Sequence, residues 1–543
     1  MTIFAPKPRT ALAALPLILA ALVGCGAAEE GSDGDVPGFG GLPPGTSGPG
    51  TPGVGGGAGT AAPPATVDPG VTPGQPGTGT PEAPVADGST PIAGGQPPAG
   101  GAAGGSATAP PPTGEQPVTP GQPLPPELIP PPPLDRPAVG GTPNLFVDVL
   151  GRTPAEVDQK VQSAVNRFFG LEGNDPATPG NAGTRSFYTL PQDASMGFVY
   201  AADSTDIRSE GMSYGMFIAV QMDMQTQFDQ LWRFAKEFMQ YETTSPLTSW
   251  HNYFRWTGRV NSANANNWVV TYGAEEAPAS DGEEYFAAAL YLANRRWGSG
   301  GEINYKAEAD IVSNAMLNNP VGDDGRYPLI HPEANQVTFV PYGTSGEHSD
   351  PSYHLPAFYE VFAEDGPPEN SVRWRVIAEI SRDYFVDSAH PVTGLHPDYA
   401  TFGGAPEPGY MPDPNQPHDQ FRFDAWRVPL NMAIESAWSR PDPRLGGQIE
   451  KYLSFFGSRL ANGNVQAALF QLDGAVNTNG GSQALVATLA AATLASPQNA
   501  NRMTFVNNLW NVAQPTGNFR YYQGAVYLLG LLAASGNFDY GFE

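Results

Sequence analysis

Beyond about residue 143, apolar side chains recur at three- and four-residue intervals, the spacing of helices buried on one face. Thr153-Pro154 opens the first, with proline in the first helical position and AEVDQKVQSAVNRFF following in register. The same pattern predicts helices over 210–223, 225–240, 283–297, 305–317, 355–363 and 370–385. It continues over 425–438, 444–460, 482–495, 501–511 and 519–534. Two connections, 241–282 and 386–423, are long and aromatic, and loops of that length in a compact domain usually carry function. Within the connections, stretches such as TFVPY predict short strands. About twelve helices in roughly 400 residues fit an all-α toroid of paired helices. No fixed-period repeat supports a solenoid instead.

The first 142 residues are a different material. Lys7 and Arg9 precede an apolar run, Ala11 to Val23, of signal-peptide length and too short to span a bilayer. The run ends in Leu22-Val23-Gly24-Cys25, which resembles a bacterial lipoprotein signal in which Cys25 is lipidated; an ordinary secretory leader is the alternative. Residues 26–142 are rich in Gly, Pro, Ala, Thr and Ser, and carry Phe39 as their only aromatic. Such a segment buries too little apolar surface to offset its conformational entropy, so a disordered tether is expected. Its glycine-rich pieces lack the flanking strand and helix of a phosphate loop. The expected domains are therefore a leader over 1–25, a linker over 26–142 and one folded domain over 143–543.

Charge and cysteine narrow the function. The chain carries a net −27, of which −20 falls on residues 143–543. So acidic a surface argues against nucleic acid or an anionic membrane as partner, leaving a lipid at Cys25 as the route to a membrane. Cys25 is the only cysteine, which rules out an intrachain disulfide and a cysteine-based zinc site.

Three carboxylates stand at or just before helix starts: Glu210 in SEGMSYGM, Asp281 in PASDGEEYFAAALYLANRRW and Asp424 in FRFDAWRVPLNMAIESAW. Each position is one where an acid ordinarily complements the helix dipole or caps the helix, Asp281 with Glu284 three residues on. Around Glu210, however, Met212, Gly215, Met216, Ala219 and Val220 make an apolar inner side, and Gly211 and Gly215 permit close approach of another backbone. A carboxyl at such a buried end is desolvated, which raises its pKa and suits it to proton donation. Arg427, three residues after Asp424, favours that group's charged form. In a toroid, alternate helix N-termini gather at one end, so the three acids can share a cleft.

SEGMSYGM, ASDGEEYFAAALYLANRRWG, SDPSYHLPAFYEVFA, GLHPDYATFGG and FRFDAWRVPLN together resemble glycoside hydrolase family 8, from about residue 144 to the C-terminus. The resemblance implies an (α/α)6 barrel that hydrolyses β-1,4-linked polysaccharides with inversion. It implies Glu210 as general acid, Asp424 as general base, Asp281 as the carboxylate on the distorted sugar, Tyr353 as holder of the attacking water and Arg427 as partner of the base. An inverting enzyme needs room for one water between its carboxyls, which stand roughly 6.5–9.5 Å apart, and environments that push their pKa values apart. Trp250, Tyr253, Trp256, Trp268, Tyr272 and Trp426 are candidate sugar-stacking residues, Trp256 and Trp426 foremost.

The motifs look most like those of xylan-active members. Exo-acting ones carry a Leu-His-Pro loop late in the chain; here the corresponding region reads FQLDGAVNTNGGSQALVATLA, which favours endo action on xylan or xylo-oligosaccharides. The alternatives are release of xylose from the reducing end, endo-glucanase or chitosanase action, and, from another class, an inactive surface polysaccharide-binding protein. The last would keep aromatics and drop carboxylates; a protein-binding helical toroid would need neither. The stretch HSDPSYH, with His348, Asp350 and His354, has a loose metal-ligand look, but the resembled family needs no metal, and no cofactor is expected. The C-terminal half reads as core helices. A monomer, outside the cytoplasm and anchored by lipid or secreted, completes the expectation.

Overall fold

The computed structural model describes residues 132–542, apart from 173–174, 181, 263, 410–416 and 479. The leader, Cys25 and the linker up to residue 131 lie outside the described residues. Thirteen α-helices are described: α1 Leu145–Leu150, α2 Pro154–Phe168, α3 Ser209–Gln221, α4 Gln225–Phe234, α5 Ser280–Trp297, α6 Tyr305–Asn318 and α7 Pro356–Asp365. The remainder are α8 Ser371–Asp387, α9 Val428–Trp438, α10 Pro443–Gly457, α11 Gln483–Ala492, α12 Arg502–Asn511 and α13 Tyr522–Ala534.

Neighbour relations close a ring. Helix α3 packs on α5, α5 on α7, α7 on α9, α9 on α11, α11 on α13, and α13 returns to α3. Helices α4, α6, α8, α10 and α12 pack on this ring from outside, and α2 covers α13. The result is an (α/α)6 barrel, with α1 as an added turn before it. The division is written in the side chains. Every residue of α3 is buried, as befits a helix surrounded on all sides. Helix α2 buries one stripe, Val157, Val161, Ala164, Val165 and Phe168, and begins with a capping box between Thr153 and Glu156.

Several expectations are corrected. Helix α1, only six residues long, was too short to register as a period. The helix expected over 225–240 ends as a π-helical turn, Ala235–Met239. TFVPY forms no strand: Pro341 has no N–H to donate, and the isolated bridges there fall at Val337, just before the stretch, and at Tyr342, its last residue. The folded unit also starts before residue 143. Arg136 donates to the Trp438 carbonyl and to Glu364, both at 2.8 Å, and strand Gly140–Gly141 pairs with Asp539–Gly541.

Candidate active site

The N-terminal ends of the inner helices and the turns leading into them supply the polar groups. Backbone pairing of Ile207–Arg208 with Thr257–Gly258 fixes the approach to α3, and the Ser209 N–H bonds the Trp256 carbonyl at 3.0 Å. Glu210 follows in the first turn, 3% exposed. Its Oε1 accepts from the Tyr521 hydroxyl at 2.8 Å. Gly211 makes this possible: a Cβ there would lie 2.4 Å from the Tyr521 ring. The close approach expected from the glycines is therefore that of a side chain rather than a second backbone. Asp281 does not cap α5; the helix starts at Ser280 with Ala279 as N-cap, and Asp281 turns inward, 1% exposed.

Arg427 ties the acids together. Its Nη1 lies 2.8 Å from Asp281 and 3.3 Å from Glu210, and also bonds the Tyr214 hydroxyl. Its Nη2 lies 3.1 Å from Asp424 and 3.8 Å from Asp350. Glu210 and Asp424 thus sit on different nitrogens of one guanidinium. Tyr353 is buried, with its ring centroid 5.4 Å from the guanidinium carbon. The five proposed chemical residues therefore converge, and Asp350 joins them.

Four buried carboxylates share one arginine, and this sets their proton affinities. Burial, then Asp281, pushes Glu210 up to about 7 against the pull of Arg427 and Arg208. Burial also raises Asp281, and raises Asp350 and Asp424 well above the usual carboxylate range. This corrects the expectation that Arg427 holds Asp424 in its charged form: burial outweighs the arginine, and Asp398, Asp350 and Glu210 add repulsion. The cluster holds protons collectively.

The aromatic candidates separate. Trp256 stands beside the site, with Arg208 between it and Tyr521, at 5.5 Å and 5.9 Å from the two ring centroids. Trp426 is 4% exposed; its Nε1 donates to the Ala468 carbonyl, and its ring packs on Phe423 and Tyr522 behind the turn that carries Asp424. Tyr272 is half-buried on the strand that pairs with Thr257–Asn261. Trp268 packs on Tyr188 and Phe198, Trp250 on Tyr241 and Tyr342, and Tyr253 bonds Ala315 and Leu329; the structure does not bring these three to the acids. His354 lies between the Ser349 and Ser381 hydroxyls, and His348 stacks on Phe339. These contacts account for the His354 ring; His348 Nε2 is buried with no hydrogen-bond partner among the described residues.

Residues 199–536 match the glycosyl hydrolases family 8. The chain belongs to this family. The family 8 chain is 34% identical over 409 residues to a reducing end xylose-releasing exo-oligoxylanase of Halalkalibacterium halodurans, covering 74% of this chain and 94% of the relative. It is 35% identical to a reducing-end xylose-releasing exo-oligoxylanase of Paenibacillus barcinonensis, covering 66% and 88%. It superimposes with a TM-score of 0.63 on a catalytic mutant of a family 8 xylanase from Teredinibacter turnerae in complex with xylohexaose. That structure is 35% identical, and the match covers 73% of this chain and 97% of the other. Family membership makes the chain an inverting glycoside hydrolase.

Sequence reasoning missed part of this family 8 site. The C-terminal half was read as core, yet α13 and the residue before it supply Tyr522 and Tyr521, the latter bonded to Glu210. In sequence they stand between Arg520 and Gln523, with no acid or motif beside them to mark a site. The region read as lacking a Leu-His-Pro loop is a hairpin of Leu469–Phe470 with Val476–Thr478, tied to Phe421 and followed by Gly480 and Gly481 ahead of α11. A Leu-His-Pro tripeptide does occur at 395–397, but His396 is fully buried between the Tyr452 hydroxyl and the Phe385 carbonyl.

Proposed function

We propose that the chain hydrolyses β-1,4-xylo-oligosaccharides with inversion, releasing xylose from the reducing end, with Glu210 as general acid and Asp424 as general base. The observation that carries the substrate and the mode is the naming of the relatives: two at 34% and 35% identity, nearly spanned by the match, are reducing-end xylose-releasing exo-oligoxylanases. They support exo action more than the endo action the sequence first favours.

The chemistry follows from the site. Protonated Glu210 gives its proton to the departing glycosidic oxygen; its raised pKa keeps that proton available near neutrality. Asp424, once ionised, takes a proton from water on the opposite face of the sugar ring. Tyr353 holds that water. Asp281 has one oxygen on Arg427 and another with no hydrogen-bond partner among the described residues, which suits it to a hydroxyl of the distorted sugar. Arg427 compensates whichever acids are ionised as the proton moves. Trp256 is the preferred stacking platform.

Endo action on xylan remains a second reading, favoured by one feature: two glycines, Gly480 and Gly481, stand before α11 where a bulky barrier would close the cleft. Products from xylohexaose and from polymeric xylan, separated by size over time, decide between them. Xylose plus xylopentaose as first products, with little loss of xylan viscosity, supports the exo reading. Mixed internal fragments and rapid loss of viscosity support endo action; cleavage of cellulose or chitosan alone overturns both.

The placement outside the cytoplasm rests on the leader and Cys25. Radiolabelled palmitate is expected to enter the full chain expressed in a bacterium and not its Cys25→Ser variant. Equal labelling of both removes the anchor.

A further inference from the structure

The side chain of Asp424 is fully buried, makes no hydrogen bond among the described residues, and pairs with Arg427 at 3.1 Å. Its aim is therefore set by its backbone. That backbone is unusual. Asp424 lies in a five-residue 3-10 turn, Phe423–Arg427, entered through Phe423 at φ +30°, a conformation L-residues rarely adopt. Such a turn keeps its shape only where its surroundings impose it.

The surroundings grip one peptide. On one side of the Phe423–Asp424 bond, the Phe423 carbonyl accepts from the Tyr522 hydroxyl at 2.8 Å. On the other, the Asp424 N–H donates to Asp398 Oδ1 at 2.9 Å. Asp398 is 1% exposed and is itself held: His418 Nδ1 lies 2.6 Å from its Oδ2. The His418 ring is stacked on Tyr399 at 4.1 Å between centroids and 6° between planes. Asp398 and Tyr522 come from opposite sides, one from the connection before the turn and one from the last helix of the ring.

We propose that Asp398, braced by His418, and Tyr522 form a clamp on the Phe423–Asp424 peptide that aims the Asp424 carboxyl at the attacking water. These are positioning residues, acting through the peptide rather than on the sugar. The proposal rests on the reading of Asp424 as general base. Hydrolysis of xylohexaose by Asp398→Ala, Asp398→Asn, Tyr522→Phe and Asp424→Asn, each with kcat, KM and melting temperature, tests it. An asparagine at 398 keeps an oxygen for the Asp424 N–H and an amide for His418 in its other tautomer, so it restores the clamp; alanine does not.

The clamp predicts a fall in kcat of about 100-fold for Asp398→Ala with KM within twofold, the scale of a misaimed catalytic group. It predicts recovery of most of that loss in Asp398→Asn, and a fall of about tenfold for Tyr522→Phe at unchanged KM. Tyr522→Phe removes a single hydroxyl and carries the test if the alanine variant fails to fold. Wild-type kcat in Tyr522→Phe, or an asparagine variant as slow as the alanine one, overturns the clamp. Full activity in Asp424→Asn overturns the base assignment instead, so the two failures are distinguishable.

Discussion

The tension at Glu210 is between catalysis and stability. Its carboxyl has an ordinary value of 4.5 and is pushed up to about 7 by burial and by Asp281. Folding favours the protonated form, so this group's contribution to stability is complete below about pH 4.5 and is lost as pH rises through about 7. Glu210→Gln should therefore raise the melting temperature at pH 8 and change it little at pH 4.5. The gain is on the order of 3 kcal/mol, read by thermal denaturation at the two pH values. The same variant should lose more than 100-fold in kcat, as removal of a positioned general acid does. Tyr521 works in the other direction, since its hydrogen bond lowers the Glu210 pKa. In Tyr521→Phe the alkaline limb of kcat/KM is expected to move to higher pH; a limb that stays fixed argues that another group sets it.

At the scale of elements, α3 shows which features of the site a sequence carries and which it hides. An acid in a first helical turn is ordinary, and position alone did not mark Glu210; the spacing of apolar residues marked the helix, and matching acids at 281 and 424 marked the cleft. What escaped was every partner delivered by long-range packing. Tyr521 reaches Glu210 across 311 residues of chain, through a gap that exists because Gly211 has no side chain. Asp350 stands beside two histidines in the sequence, and only the folded chain brings it to 3.8 Å from Arg427. Helix boundaries were legible because nearly every inner helix is a long apolar run between polar breaks. Gly211→Ala joins the two levels. Alanine normally favours a helix over glycine by up to about 1 kcal/mol, but here its Cβ collides with Tyr521. We expect a loss of about 1–3 kcal/mol from overpacking and a fall in kcat together, measured by urea denaturation and by hydrolysis rates.

For the barrel as a whole, the six inner helices bring residues from the beginning, middle and end of the fold to one end of the ring, and Arg427 is where they meet. One guanidinium among Glu210, Asp281, Asp350 and Asp424 leaves the cluster short of positive charge, so it must hold protons when no substrate is bound. This shortage supplies a protonated donor near neutral pH, and it opposes the ionisation of Asp424 that the proposed base role requires. A bell-shaped pH dependence of kcat/KM is expected, with limbs that belong to the cluster rather than to single residues. In the proposed function this arrangement performs single-displacement hydrolysis of xylo-oligosaccharides. Proton NMR of xylohexaose during the first minutes of digestion tests it most directly. With inversion, new reducing ends appear first as the α-anomer and only later equilibrate; β-anomer appearing first, or no hydrolysis of xylohexaose at all, would contradict the proposed function.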